Sequence, residues 1–66
     1  MTLSVNGELT TFETDRLTVE ELLKEMNFGK GVAVALNETF VMKSKYNETN
    51  INEGDRVDVL SPVQGG

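Results

Sequence analysis

Leu17-Thr18-Val19-Glu20-Glu21-Leu22-Leu23-Lys24-Glu25-Met26 is the stretch whose reading decides the fold. Val19, Leu22, Leu23 and Met26 stand at i, i+3, i+4 and i+7, which lines them up as one apolar stripe on an α-helix. Glu20, Glu21, Lys24 and Glu25 take the wet face. Thr18 and Glu21 fit a capping box, in which hydroxyl and carboxylate satisfy two backbone donors that a helix start leaves orphaned. Leu17 precedes the cap and is placed to staple onto Leu22. Asn27 and Gly29 supply the stop. This is the one strong helical pattern in the chain, and its stripe has to be covered by an apolar sheet.

Working outward, the segment before the helix reads as a hairpin. Leu3 and Val5 alternate with Thr2, Ser4 and Asn6. Asn6-Gly7 then supplies two residues that tolerate positive φ, the strongest short hairpin signal. The return strand begins at Glu8, and the three-residue gap from Leu9 to Phe12 predicts a bulge or an end near Thr11. After the helix, Val32-Ala33-Val34-Ala35-Leu36-Asn37 is apolar almost throughout and reads as an interior strand. Val32, Val34 and Leu36 would face the helix, while Ala33 and Ala35 would leave a shallow surface on the other side. Asn37-Glu38 turns the chain into a short strand over 39–43. Residues 44–52 read as an irregular or one-turn segment, anchored by Tyr46 and Ile51. Glu53-Gly54-Asp55 is a turn. Arg56-Val57-Asp58-Val59-Leu60 is the last strand, with Val57 and Val59 inside and Asp58 and Leu60 outside.

The 66 residues make one small domain with no cysteine and no histidine. Disulfides, thiol nucleophiles and the usual zinc ligands are therefore excluded. Eleven acidic against six basic residues leave a net charge of −5, which disfavours nucleic acid, because its phosphates need neutralising. No apolar run approaches the roughly 20 residues that span a bilayer. Met1–Asn6 has neither the basic nor the apolar region of a signal peptide, so the expected location is cytoplasmic. Catalysis by the chain itself has no obvious seat. Ser44 between Lys43 and Lys45 looks like a solvated turn, and Gly29-Lys30-Gly31 lacks the phosphate-loop pattern. Glu53, Asp55 and Asp58 match no calcium loop and read as a charged turn and strand face, so no metal site is assigned.

The sequence ends Ser61-Pro62-Val63-Gln64-Gly65-Gly66. Two residues without a Cβ make the thinnest tail that can present a carboxylate, and such a tail can enter a slot closed to other residue pairs. A carboxylate is a poor electrophile. Transfer of AMP from ATP converts it into a mixed anhydride, and a sulfur donor can then displace AMP to leave a nucleophilic thiocarboxylate. A second protein would have to supply the site for ATP and magnesium. The expected division is a folded domain over 1–61 and a flexible tail over 62–66.

Val32–Asn37, Lys43-Ser44-Lys45-Tyr46, Asn52-Glu53-Gly54-Asp55-Arg56-Val57 and Gly65-Gly66 together resemble the ThiS family, the small ubiquitin-like sulfur carriers of thiamine biosynthesis. The resemblance covers nearly the whole chain. It implies an α+β β-grasp fold, a mixed four- to five-stranded sheet packed on one helix, with the first and last strands paired in parallel. It also implies that Gly66 carries the acyl group, that Gly65 with Gln64 and Val63 forms the tail, and that the carrier binds no cofactor itself. Implied partners are an E1-like adenylyltransferase using ATP and Mg, thiazole synthase, and a sulfur donor such as a cysteine desulfurase. Leu60, Ala33 and Ala35, edged by Asp58 and Arg56, are the expected docking patch. The chain departs from many members at Val41-Met42-Lys43 and at Tyr46, where tryptophan is common. Two further readings stay open on the residues alone. One is the small subunit of molybdopterin synthase or another sulfur carrier, toward which Ser61-Pro62-Val63 leans. The other is a β-grasp docking module in which Gly65-Gly66 is incidental.

Overall fold

The first hairpin forms where Asn6-Gly7 allows it. Strand β1 (Thr2–Val5) returns as β2 (Glu8–Thr11), and the turn residues hold φ of 52° and 87°. The antiparallel register runs from Thr2 opposite Thr11 to Val5 opposite Glu8, without a bulge, so the gap before Phe12 marks a strand end. The structure, a computed structural model, describes residues 1–61.

A two-residue strand, β3 (Leu17–Thr18), leads into helix α1 (Val19–Glu25). The capping box is present in both directions. Glu21 N donates to Thr18 Oγ1 at 3.1 Å, and Thr18 N donates to Glu21 Oε1 at 2.9 Å. A cap of this kind stabilises a helix by about 1 kcal/mol. That matters for a helix of only seven residues, which is too short to persist on propensity alone. Leu17 and Leu22 belong to the same buried cluster, as a staple requires. Val19, Leu22 and Leu23 are buried, but Met26 is not: it is the C-cap and stands 36% exposed. The apolar stripe therefore ends one turn earlier than its period suggests. Asn27, at φ 58°, is the residue that stops the helix. Its N–H donates to Lys24 O, and Phe28 N–H donates to Leu23 O, which closes a Schellman motif around the left-handed residue. Gly29 is not needed for the stop.

Beyond the helix come β4 (Ala33–Leu36), β5 (Thr39–Val41), a 3-10 helix over Lys43–Glu48, β6 (Asn50–Ile51) and β7 (Arg56–Leu60). The main sheet has the order β2-β1-β7-β4-β5. β1 and β7 pair in parallel through Ser4 opposite Arg56 and Val5 opposite Val57; the other pairs in this sheet are antiparallel. The first and last strands thus lie side by side at the centre of a five-stranded mixed sheet. β3 and β6 form a separate two-stranded ribbon, Leu17 opposite Ile51.

Strand alternation sends one set of side chains toward the helix. Leu3, Val5, Val34, Val57 and Val59 join Leu22, Val19 and Ile51 in one core. Val32 and Leu36 pack against its margin. Tyr46 is buried from the 3-10 helix, and its hydroxyl donates to Val32 O at 3.2 Å. Tyr46 and Ile51 thus anchor the otherwise polar stretch, as their isolation in the sequence predicts.

Candidate functional site

Residues directly opposed across a ladder share a face of the sheet. Ala33 lies opposite Leu60, Ala35 opposite Asp58, and Arg56 shares their side of β7 by alternation. The five residues expected to dock a partner are therefore together, on the face away from α1. The same register adds two residues that the sequence reading left without a role. Phe40 lies opposite Ala35, and Leu9 reaches the same face through Ser4, which pairs with both Leu9 and Arg56.

The face is a shallow trough. Ala33 and Ala35 form its floor because a methyl group stands little above the backbone. Leu60 rises on one side at 70% exposure and Phe40 on the other at 66%. Both are far more exposed than any core residue, yet they sit within strands, Leu60 on the central β7 and Phe40 on the edge strand β5, rather than on loops. Apolar side chains exposed together on a sheet face make it a candidate surface for a partner.

Charge borders the trough. Arg56 Nε donates to Asp58 Oδ2 at 3.0 Å, and Arg56 Nη1 donates to Glu38 Oε2 at 3.2 Å. Arg56 and Glu38 are largely solvated and Asp58 is half-buried, so each pair contributes about 1 kcal/mol or less to stability. Their value lies in orienting one guanidinium between two carboxylates beside the patch. The strand start is tied down by hydrogen bonds from both the backbone and the side chain of Asn37. Arg56 N donates to Asn37 Oδ1 at 2.9 Å, Asn37 N donates to Arg56 O at 2.7 Å, and Asn37 Nδ2 donates to Asp55 Oδ1 at 3.1 Å. Asn37 and Glu38 both hold positive φ, as a two-residue hairpin turn requires, and Gly54 does so at 82° in the turn before β7.

Val63, Gln64, Gly65 and Gly66 lie outside the described residues. Within them, β7 carries the chain to Leu60, at the rim of the trough. The acidic residues near β7 serve separate partners: Glu53 Oε1 accepts from Thr2 N, Asp55 Oδ2 from Asn52 N, and Asp58 from Arg56. Among the described residues, no group of three or more carboxylates is arranged to hold a metal ion, and no carboxylate or amine is buried. Two open grooves of about 480 and 580 Å³ flank Arg16 and Leu17, but neither includes Leu60, Ala33, Ala35, Asp58, Arg56 or Phe40. Among the described residues, no helix is long and apolar enough to cross a membrane.

The comparisons with known proteins converge. Residues 3–66 match the ThiS family. The sulfur carrier protein ThiS of Thermus thermophilus is 38% identical over 63 residues, which cover 94% of this chain and 95% of that one. A thiazole synthase from Paramagnetospirillum magneticum is 37% identical over 67 residues, covering all of this chain. The match takes up only 20% of that relative's length. A crystal structure of the thiamine biosynthesis protein ThiS from Geobacter metallireducens superposes with a TM-score of 0.87 at 32% identity, with both chains fully covered. The solution structure of a thiamine biosynthesis protein from that organism gives 0.86 at 32% identity, covering 100% of this chain and 88% of the other.

Proposed function

The chain belongs to the ThiS family, and from that membership we propose that it is a sulfur carrier of thiamine biosynthesis whose cargo is bonded to Gly66. The carboxylate of Gly66 attacks the α-phosphorus of ATP in the active site of an E1-like enzyme, giving an acyl-adenylate and pyrophosphate. A hydrosulfide equivalent from a sulfur donor then adds to the acyl carbon. The C–O bond to AMP breaks, and a thiocarboxylate remains. Its sulfur is passed to thiazole synthase, where it enters the thiazole ring. ATP and magnesium belong to the partner's site.

The observation that carries this reading is the trough of Ala33, Ala35, Leu60 and Phe40 on the uncovered sheet face, at the end of the strand that leads to Gly65-Gly66. A docking face beside the origin of the tail lets one binding event both hold the body and bring the tail to a catalytic pocket. Apolar contacts at the centre with charged residues at the margin are the ordinary anatomy of a transient interface. The relative named thiazole synthase, in which a region like this whole chain occupies part of a longer polypeptide, supports a close working relationship between carrier and synthase.

Deleting Gly66 tests the reading. The shortened chain should fold and dock as before, yet give no pyrophosphate with ATP, magnesium and the adenylating enzyme. If it keeps full sulfur-transfer activity, Gly66 is not the carrier. If the intact chain binds its partner but never consumes ATP, the protein is a docking module instead.

A further inference from the structure

We infer that Asn6 is a positioning residue for the transfer: its side-chain carbonyl holds the end of β7 so that the tail starts from a fixed point. The inference rests on the sulfur-carrier reading above.

β1 and β7 pair in parallel only as far as Val5 opposite Val57. The chain then leaves the sheet at Asn6-Gly7. Ser4 N donates to Asp55 O at 3.0 Å, and Asn6 N donates to Val57 O at 2.9 Å. The next donor of β7 facing that side is Val59 N, two residues on, where β1 offers no backbone because it has turned away. Asn6 Oδ1 fills the gap and accepts from Val59 N at 2.7 Å, a bond between residues 53 apart in sequence. A side chain thus adds one rung to the ladder after the strand has ended.

Turn chemistry alone does not call for this residue. Asn6 has φ 52°, a conformation that glycine adopts at least as readily, and Gly-Gly also serves in such turns. What asparagine adds is a carbonyl on a short arm. On its other edge, β7 is held by β4 up to Leu60 opposite Ala33. With Asn6 in place, the strand is held from both edges to within three residues of Pro62. Without it, residues 58–60 are tied on one edge only, and their fluctuation passes to a carboxyl group that must reach a reacting phosphorus in another protein. Misplacement by about 1 Å is enough to slow such a reaction by up to 100-fold.

The expectation is a split between turnover and docking. Asn6→Gly keeps the turn and removes the acceptor. With ATP, magnesium and the E1-like enzyme, pyrophosphate release should show kcat lowered roughly five- to tenfold while KM for the carrier holds, since the trough is untouched. The Val59 amide should exchange with solvent at least about fivefold faster, with Val57 unchanged. Asn6→Asp keeps an acceptor and tolerates positive φ, and it should restore both. Ile51→Val, in the separate β3–β6 ribbon, is the control for a general loss of stability and should leave kcat at the wild-type value.

A wild-type kcat in Asn6→Gly overturns the inference, as does a fall matched by Ile51→Val at equal thermal stability. Should Asn6→Gly fail to fold, Asn6→Asp decides: slow turnover with Val59 still protected contradicts the role assigned to Asn6. If the unaltered chain releases no pyrophosphate at all, the sulfur-carrier reading itself fails, and this inference with it.

Discussion

The two faces of the central sheet are built from the same five strands and have opposite fates. On one side Leu3, Val34 and Val57 are at most 1% exposed beneath α1. On the other, Leu60 and Phe40 stand more than half exposed beside two alanines. Folding accounts for the first side completely. Burying a leucine or valine there contributes about 1.5–3 kcal/mol, and a chain this small needs nearly all of its core. Nothing in folding requires the second set to be apolar. The contrast separates residues that hold the molecule together from residues available to a partner, and it puts the second group at the end of the strand that leads to Gly65-Gly66.

The strongest way to break the contrast is from the covered side. Leu22→Ala removes a fully buried side chain and should cost about 2–5 kcal/mol, which would unfold much of so small a domain at moderate temperature. Thermal or urea unfolding measures it. Leu60→Asp and Phe40→Ala should do the reverse. Stability should stay within about 0.5 kcal/mol of wild type, because surface changes away from special features cost little. Affinity for the adenylating enzyme should fall by roughly tenfold or more, as loss of a central apolar anchor does. Calorimetry with the purified partner would show it. Unchanged affinity in both variants would mean that the trough is not the interface.

Two smaller changes sharpen the comparison. Thr18→Ala removes the capping hydroxyl on the covered side and should lower stability by about 1 kcal/mol without altering docking. Glu38→Gly should move stability by well under about 1 kcal/mol. It relieves a glutamate held at φ 69° but gives up the solvated pair with Arg56, so the two effects oppose each other. A chemical denaturation midpoint resolves both.

Much of the covered side is legible in the sequence, because local rules specify it. Thr18 and Glu21 announce the helix start, Asn6-Gly7 announces the hairpin, and Val57 and Val59 alternate cleanly with Asp58 and Leu60. Errors come where a pattern outlasts its environment. Met26 continues the helical period but falls on the cap, because Asn27 has already turned left-handed. The open side is only half legible. Ala33, Ala35, Asp58, Arg56 and Leu60 follow from alternation within their own strands. Phe40 does not: its side is set by the register of β5 on β4, which the Asn37-Glu38 turn fixes in three dimensions. Each strand of the β3–β6 ribbon is only two residues long and leaves no period to read. The bond from Val59 to Asn6 spans 53 residues, beyond any local signal. The parallel pairing of the first and last strands comes from family resemblance; element order alone does not specify it.

Intact-mass measurement of the carrier tests the account most directly. The protein is incubated with ATP, magnesium, its adenylating enzyme and a sulfur donor, then fragmented to place any change. The account predicts that one oxygen is replaced by sulfur, at Gly66, and that the replacement slows in Leu60→Asp. An unchanged mass, with an enzyme shown to be active on another carrier, would contradict it.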